Sequence, residues 1–152
     1  MLSFLPLMPL CVFGAWLSWI DLKVHRLPTP LVIWFTATQL MTLIVASHIE
    51  TSSKHLQDAL VIGGLNTLVY LILFALSRGS LGMGDVKFAF PLGLTVGWYA
   101  PELWLIAIFG TFLSAGVVAL VGIIAKRMNR ESKLALGPYM FLSTLLTCVV
   151  GM

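Results

Sequence analysis

Two short stretches of this chain carry titratable side chains inside otherwise apolar sequence. DLKVHRLPTP, residues 21–30, places Asp21 two residues before Lys23 at the end of an apolar run. LGMGDVKFAF, residues 81–90, repeats the Asp-x-Lys spacing with Asp85 and Lys87 and sets Gly82 and Gly84 just ahead of it. Two carboxyls that share a water can divide the work of hydrolysis. An ionised one takes a proton from the water, while a protonated one hydrogen-bonds the carbonyl under attack. Neighbouring carboxyls do not both ionise easily, so such a pair titrates as a unit. Lys23 and Lys87 either bias the pair towards one ionised member or reach phosphate headgroups. Taken alone, Asp85 reads as a helix cap or dipole partner. Asp21 resists that reading, because it ends a helix, where the dipole disfavours negative charge.

The shared-water chemistry requires both aspartates at one depth, and the elements around them supply it. Hydrophobic residues make up 59% of the chain and charged residues 10%. A soluble domain carries about 25% charged residues, so the composition describes an integral membrane protein. A spanning helix needs about 20 apolar residues. Six segments meet or approach that length: Ser3–Ile20, Leu31–Ser47, Leu56–Ser77, Gly84–Tyr99, Glu102–Ala125 and Leu134–Met152. The expected fold is all-α, a polytopic bundle of about six membrane-spanning helices. The first segment lacks the basic start and cleavage site of a signal peptide.

With six spans, alternate loops share a side. Residues 21–30, 78–87 and 126–133 hold eight of the nine Lys and Arg residues, and Lys54 stands alone on the other side. Basic loops face the cytoplasm, so that side is expected to be cytoplasmic. The net charge of +3 then reflects topology, not nucleic-acid binding. Asp21 closes the first span and Asp85 opens the fourth, both on this side. The fourth span has only 16 residues, roughly 24 Å of helix, against a hydrocarbon core of ~30 Å. Its Asp85 end is therefore expected at or below the headgroups, where irregular backbone is tolerated only if protein or a water-filled cavity covers it.

These residues resemble the type IV prepilin peptidase family, membrane aspartic proteases that cleave prepilin leaders. Family members carry an Asp after a hydrophobic helix, then basic residues and a Leu/Ile-Pro-Asn/Asp step, matched here by WIDLKVHRLPTP. Their G-x-G-D-x-K is matched by GMGDVKF, and a late G-P-F/Y phrase by LALGPYMF, residues 134–141. The motifs span residues 19–141. The resemblance implies Asp21 and Asp85 as the catalytic pair, with Gly82, Gly84, Pro28 and Lys87 shaping the site. It implies a prepilin or pseudopilin substrate, with a basic leader in the cytoplasm and an apolar helix in the membrane. Lys23 and Arg26 suit a basic leader poorly and are assigned to topology and lipid headgroups. No metal or organic cofactor is implied, since water is the nucleophile, and the location implied is the bacterial inner membrane. Thr29 stands where the family has Asn or Asp. Larger members add an N-terminal region with a cysteine-bearing loop and a methyltransferase activity. Here helix 1 comes directly, so a single peptidase domain over residues 1–152, without methyltransferase activity, is expected.

A transporter using the acids as an ion pathway is the rival reading, but it requires acids near mid-membrane, and these fall near span ends. A non-catalytic assembly scaffold is the third. Cys11 and Cys148 show no metal-ligand or paired spacing and read as small buried residues. Gln39 and Asn66 lie mid-helix, where interhelical hydrogen bonds are expected. Gly110, Gly116 and Gly122 are expected to allow close helix packing.

Overall fold

A computed structural model of the protein describes residues 4–50, 53–77, 81–125 and 134–152, and the described residues contain helices but no strand. The described residues form six principal helices. α1 is Leu7–Val24, α2 is Thr29–Glu50 and α3 is Lys54–Leu76. α4 is Met83–Tyr99, α5 is Trp104–Ile124 and α6 is Gly137–Gly151. α1, α2, α3 and Pro101–Ile124, which adds a 3-10 turn to α5, are long and apolar enough to cross a membrane. α1 contains a π-helical turn, Leu10–Gly14, directly after Pro9. Pro6 and Pro9 lack backbone donors, which loosens the hydrogen-bond register there.

The short fourth segment is the core. Phe88, Ala89, Leu92 and Leu94 of α4 are at most 1% exposed, and α2, α3, α5 and α6 all pack on it. α4 therefore meets protein on most sides, and the longer helices take the outer positions. Large apolar side chains stay exposed on those outer helices, among them Trp34, Met41, Leu76 and Phe109. Such a surface suits lipid. Pro91 lies inside α4 without breaking it. Just before it, the Ala89 carbonyl accepts a 2.6 Å hydrogen bond from Asn66 Nδ2 on α3. Gln39 Nε2 of α2 likewise donates to the Pro6 carbonyl at 2.9 Å. Both mid-helix amides thus bond away from their own helices.

The closest helix packing lies elsewhere than the α5 glycines suggested. α3 and α4 touch through backbone: a Cβ added to Gly93 would sit 2.9 Å from the Gly63 Cα, and one on Gly97 would sit 2.7 Å from the Ala59 Cα. Of the α5 glycines, Gly110 faces Ser143 of α6, while Gly116 faces open space. The two cysteines also divide. Cys148 is buried, but Cys11 is exposed on the outer surface of α1, so the expected burial fails for it.

The chain ends of the helices gather into two groups. Glu50, His55, Trp98, Tyr99 and Gly151 line one depression, formed where α2, α4 and α6 finish and α3 begins. The end of α1 and the starts of α4 and α6 meet at the other end. Lys23, Arg26 and Lys87 belong to this second group and Lys54 to the first. Arg78 and the basic stretch 126–133 lie outside the described residues.

Candidate active site

Asp21 belongs to the last turn of α1. The helix stops four residues later because His25 takes a left-handed backbone, φ 52°, and its N–H donates to the Asp21 carbonyl at 2.8 Å. Non-glycine residues rarely adopt this conformation. It turns the chain sharply, so that 25–28 crosses to the start of α2. The Pro28 carbonyl there accepts from the Leu31 and Val32 N–H groups, at 3.1 and 3.2 Å, and begins α2. The Asp21 side chain is only 4% exposed. Its Oδ2 accepts a 2.8 Å hydrogen bond from the Gly137 N–H, at the first residue of α6. Ser18, one turn earlier on α1, donates to the Gly137 carbonyl at 3.4 Å. A Cβ on residue 137 would lie 2.8 Å from Asp21 Oδ2, so the carboxyl packs where a side chain would otherwise be.

Asp85 sits in the first turn of α4. Gly82 precedes the helix in extended backbone, φ −79° and ψ 141°. The Asp85 N–H donates to the Gly82 carbonyl at 3.1 Å, and the Gly82 N–H returns a 3.2 Å hydrogen bond to Asp85 Oδ2. The second bond is the N3 half of a capping box and the first is a backbone turn bond, since Gly82 has no side chain to accept it; the plain capping reading of Asp85 holds to that extent. Gly84 makes a different contribution. A Cβ there would lie 3.0 Å from the Leu27 Cβ, so the missing side chain lets the start of α4 close onto the segment that follows α1.

The two carboxyls line one cleft of about 370 Å³, with walls from three parts of the chain: Asp21, His25, Arg26 and Leu27; Gly82 to Asp85; and Leu134 with Leu136. Each carboxyl has one oxygen fixed by a backbone N–H, and each lies at the positive end of a helix dipole, α6 for Asp21 and α4 for Asp85. The dipole disfavour expected for Asp21 at the end of α1 is thus answered by α6. The arrangement presents two acids, held by main-chain donors, to one partly open space large enough for an extended peptide bond and a water.

A family model described as the type IV leader peptidase family matches residues 8–152. This chain belongs to the type IV leader peptidase family. No curated protein and no solved structure gives a significant match. The family and the four long apolar helices together make it a membrane-embedded peptidase.

In this leader peptidase the expected site residues divide. Asp21, Gly82, Gly84 and Asp85 come together at the cleft. Lys87 and Pro28 do not line it. Lys87 Nζ donates instead to Thr29 Oγ1 at 3.2 Å, joining α4 to the start of α2 beside the cleft. Lys23 stands away from the cleft, with its Nζ 4.7 Å from the centre of the Trp19 ring. Arg26, read from sequence as headgroup-facing, lines the cleft, and so does His25. Gly137 was visible as part of the G-P-Y phrase but carried no assigned role. Among the described residues no three His, Cys, Asp or Glu side chains gather as a metal site.

Proposed function

We propose that this leader peptidase is an aspartic endopeptidase that removes the basic leader of a prepilin or pseudopilin at the cytoplasmic face of the membrane. The observation that carries the reading is the cleft shared by Asp21 and Asp85, reached from two motifs 64 residues apart. One aspartate, ionised, takes a proton from water as the water oxygen attacks the scissile carbonyl. The other, protonated, hydrogen-bonds the carbonyl oxygen as it gains charge. The tetrahedral intermediate collapses with cleavage of the C–N bond, and the proton taken from water goes to the departing amine. Both aspartates leave the cycle as they entered it. The main-chain bonds at Oδ2 restrict each carboxyl rotamer in advance, which lowers the entropy lost on reaching the reactive geometry.

The test is cleavage by purified protein of candidate prepilins, with the product N-termini sequenced. Asp21→Asn and Asp85→Asn are each expected to lose about 100- to 10,000-fold in rate, with unchanged protein levels. Asp58→Asn, at the far end of α3, should cleave normally. Substantial cleavage by either of the first two variants would remove the dyad from the mechanism.

A further inference from the structure

A second groove, which shares no lining residue with the cleft, starts close by. Two residues beyond Leu27 and Asp85, the side chains of Thr29 and Lys87 meet in their 3.2 Å hydrogen bond. On the far side of that bond an open groove of about 620 Å³ runs between α2 and α4. Its walls are Val32, Ile33, Thr36, Ala37 and Leu40 of α2, with Phe90 of α4. From Thr29 to Leu40 the wall follows one face of α2 for roughly 16 Å at 1.5 Å per residue. Ile33 is 62% exposed, so the groove opens on the outer, lipid-facing surface. Ala37 and Thr36 leave it deep at mid-length, as small residues do where helices approach closely. Its polarity is graded: the charged side chain stands only at the cleft end, and the Thr36 hydroxyl is turned back onto the Val32 carbonyl at 2.9 Å.

We infer that this groove seats the apolar helix of the substrate, immediately beyond the bond being cut. The inference rests on the leader-cleavage reading above. A chain lying across the cleft and along the groove meets polar walls first and then an apolar channel. This is the order of a polar leader followed by a membrane helix. A helix laid in an apolar groove is recognised through residues three and four apart, and the wall of α2 offers that spacing. The groove opens sideways, so the trimmed helix leaves into lipid without passing through the protein. An acyl chain would also find the channel apolar, but only a peptide has reason to continue across the Thr29–Lys87 bond into the cleft.

A photo-crosslinking amino acid placed at Ile33 tests this in the Asp85→Asn background, where binding is read without turnover. Full-length prepilin should form an adduct mapping to its apolar helix. The same probe at Val117, exposed on α5, should form none. Adding Ala37→Trp, which fills the groove, should reduce the adduct at least about tenfold, the scale at which steric misfit in an apolar pocket discriminates. Lipid adducts alone at Ile33, or equal prepilin adducts at Ile33 and Val117, would overturn the inference. An adduct at Ile33 from a protein whose wild type cuts no prepilin would leave the groove assignment standing and remove the protease reading.

Discussion

At the scale of single residues, the site depends on two main-chain donors more than on neighbouring side chains. Gly137 matters most among the residues that do not react. Its N–H holds Asp21 at 2.8 Å, and an added Cβ would sit at that same 2.8 Å from Asp21 Oδ2. Gly137→Ala must therefore displace the carboxyl or the start of α6. Alanine is the better helix former, so α6 itself should persist. A displacement on the order of 1 Å costs about 100-fold in rate, and the loss should appear in kcat with KM nearly unchanged. Wild-type kcat in Gly137→Ala would show that Asp21 does not need this contact. The two aspartates act as one unit, so the Asp21→Asn, Asp85→Asn double variant should be little slower than either single variant. Multiplicative losses, read from the same cleavage assay, would show two independent contributions. Both aspartates were legible in the sequence, because their matched Asp-x-Lys settings fall at equal depth once six spans are counted. The Gly137 contact was not, because a backbone donor 116 positions away leaves no side-chain signature. The placement of Arg26 and His25 along the cleft was missed for a related reason: it follows from one left-handed residue, His25, and histidine does not announce that conformation.

At the scale of helices, the six apolar runs were readable because membrane thickness fixes their length, and the ends differ from those expected by a few residues. Which helix is enclosed was not legible. The sequence marked α4 as a short span interrupted by Pro91, whereas it is continuous through Pro91 and central. An apolar helix facing lipid and one facing protein have the same composition, so the distinction lies in contacts. The glycines show the same ambiguity. Gly97 and Gly93 lie against the backbone of α3, whereas Gly116 and Gly64 have nothing within 4 Å of an added Cβ. Gly97→Ala and Gly93→Ala should each destabilise the protein by about 1–3 kcal/mol through overpacking. Gly116→Ala and Gly64→Ala should be neutral or stabilising by up to ~1 kcal/mol, the helix-propensity gain over glycine. Thermal midpoints in one detergent would rank them, and equal shifts in all four would mean that α3 and α4 do not pack backbone to backbone. Because α4 carries Asp85 at its first turn, the loosened variants should also lose activity, while the Gly116 and Gly64 variants keep it.

At the scale of the molecule, the six helices gather their ends into two groups, and the candidate site belongs wholly to one of them. The Asp21 cleft lies where α1 ends and α4 and α6 begin; Glu50, His55 and Gly151 mark the other end. Lys23, Arg26 and Lys87 lie at the cleft end, and the loops that hold eight of the nine Lys and Arg residues are expected to share that side, a bias that predicts a cytoplasmic cleft. This orientation joins the site to the proposed substrate, whose leader is basic and whose helix enters the membrane from the same side. Single cysteines report it directly. Cys11 is exposed on α1 and must be replaced first; Cys148 is buried but should be replaced as well. In that background, Ala125→Cys at the end of α5 should resist a membrane-impermeant thiol reagent added to intact cells and react after lysis. Ser53→Cys, just before α3, should react in intact cells. The opposite pattern would place the aspartates on the outer face, away from any leader held in the cytoplasm. Cleavage of a prepilin would then require the leader to cross the membrane before it is cut, and the groove between α2 and α4 would run inward from the outer face, with its cleft end away from a leader held in the cytoplasm.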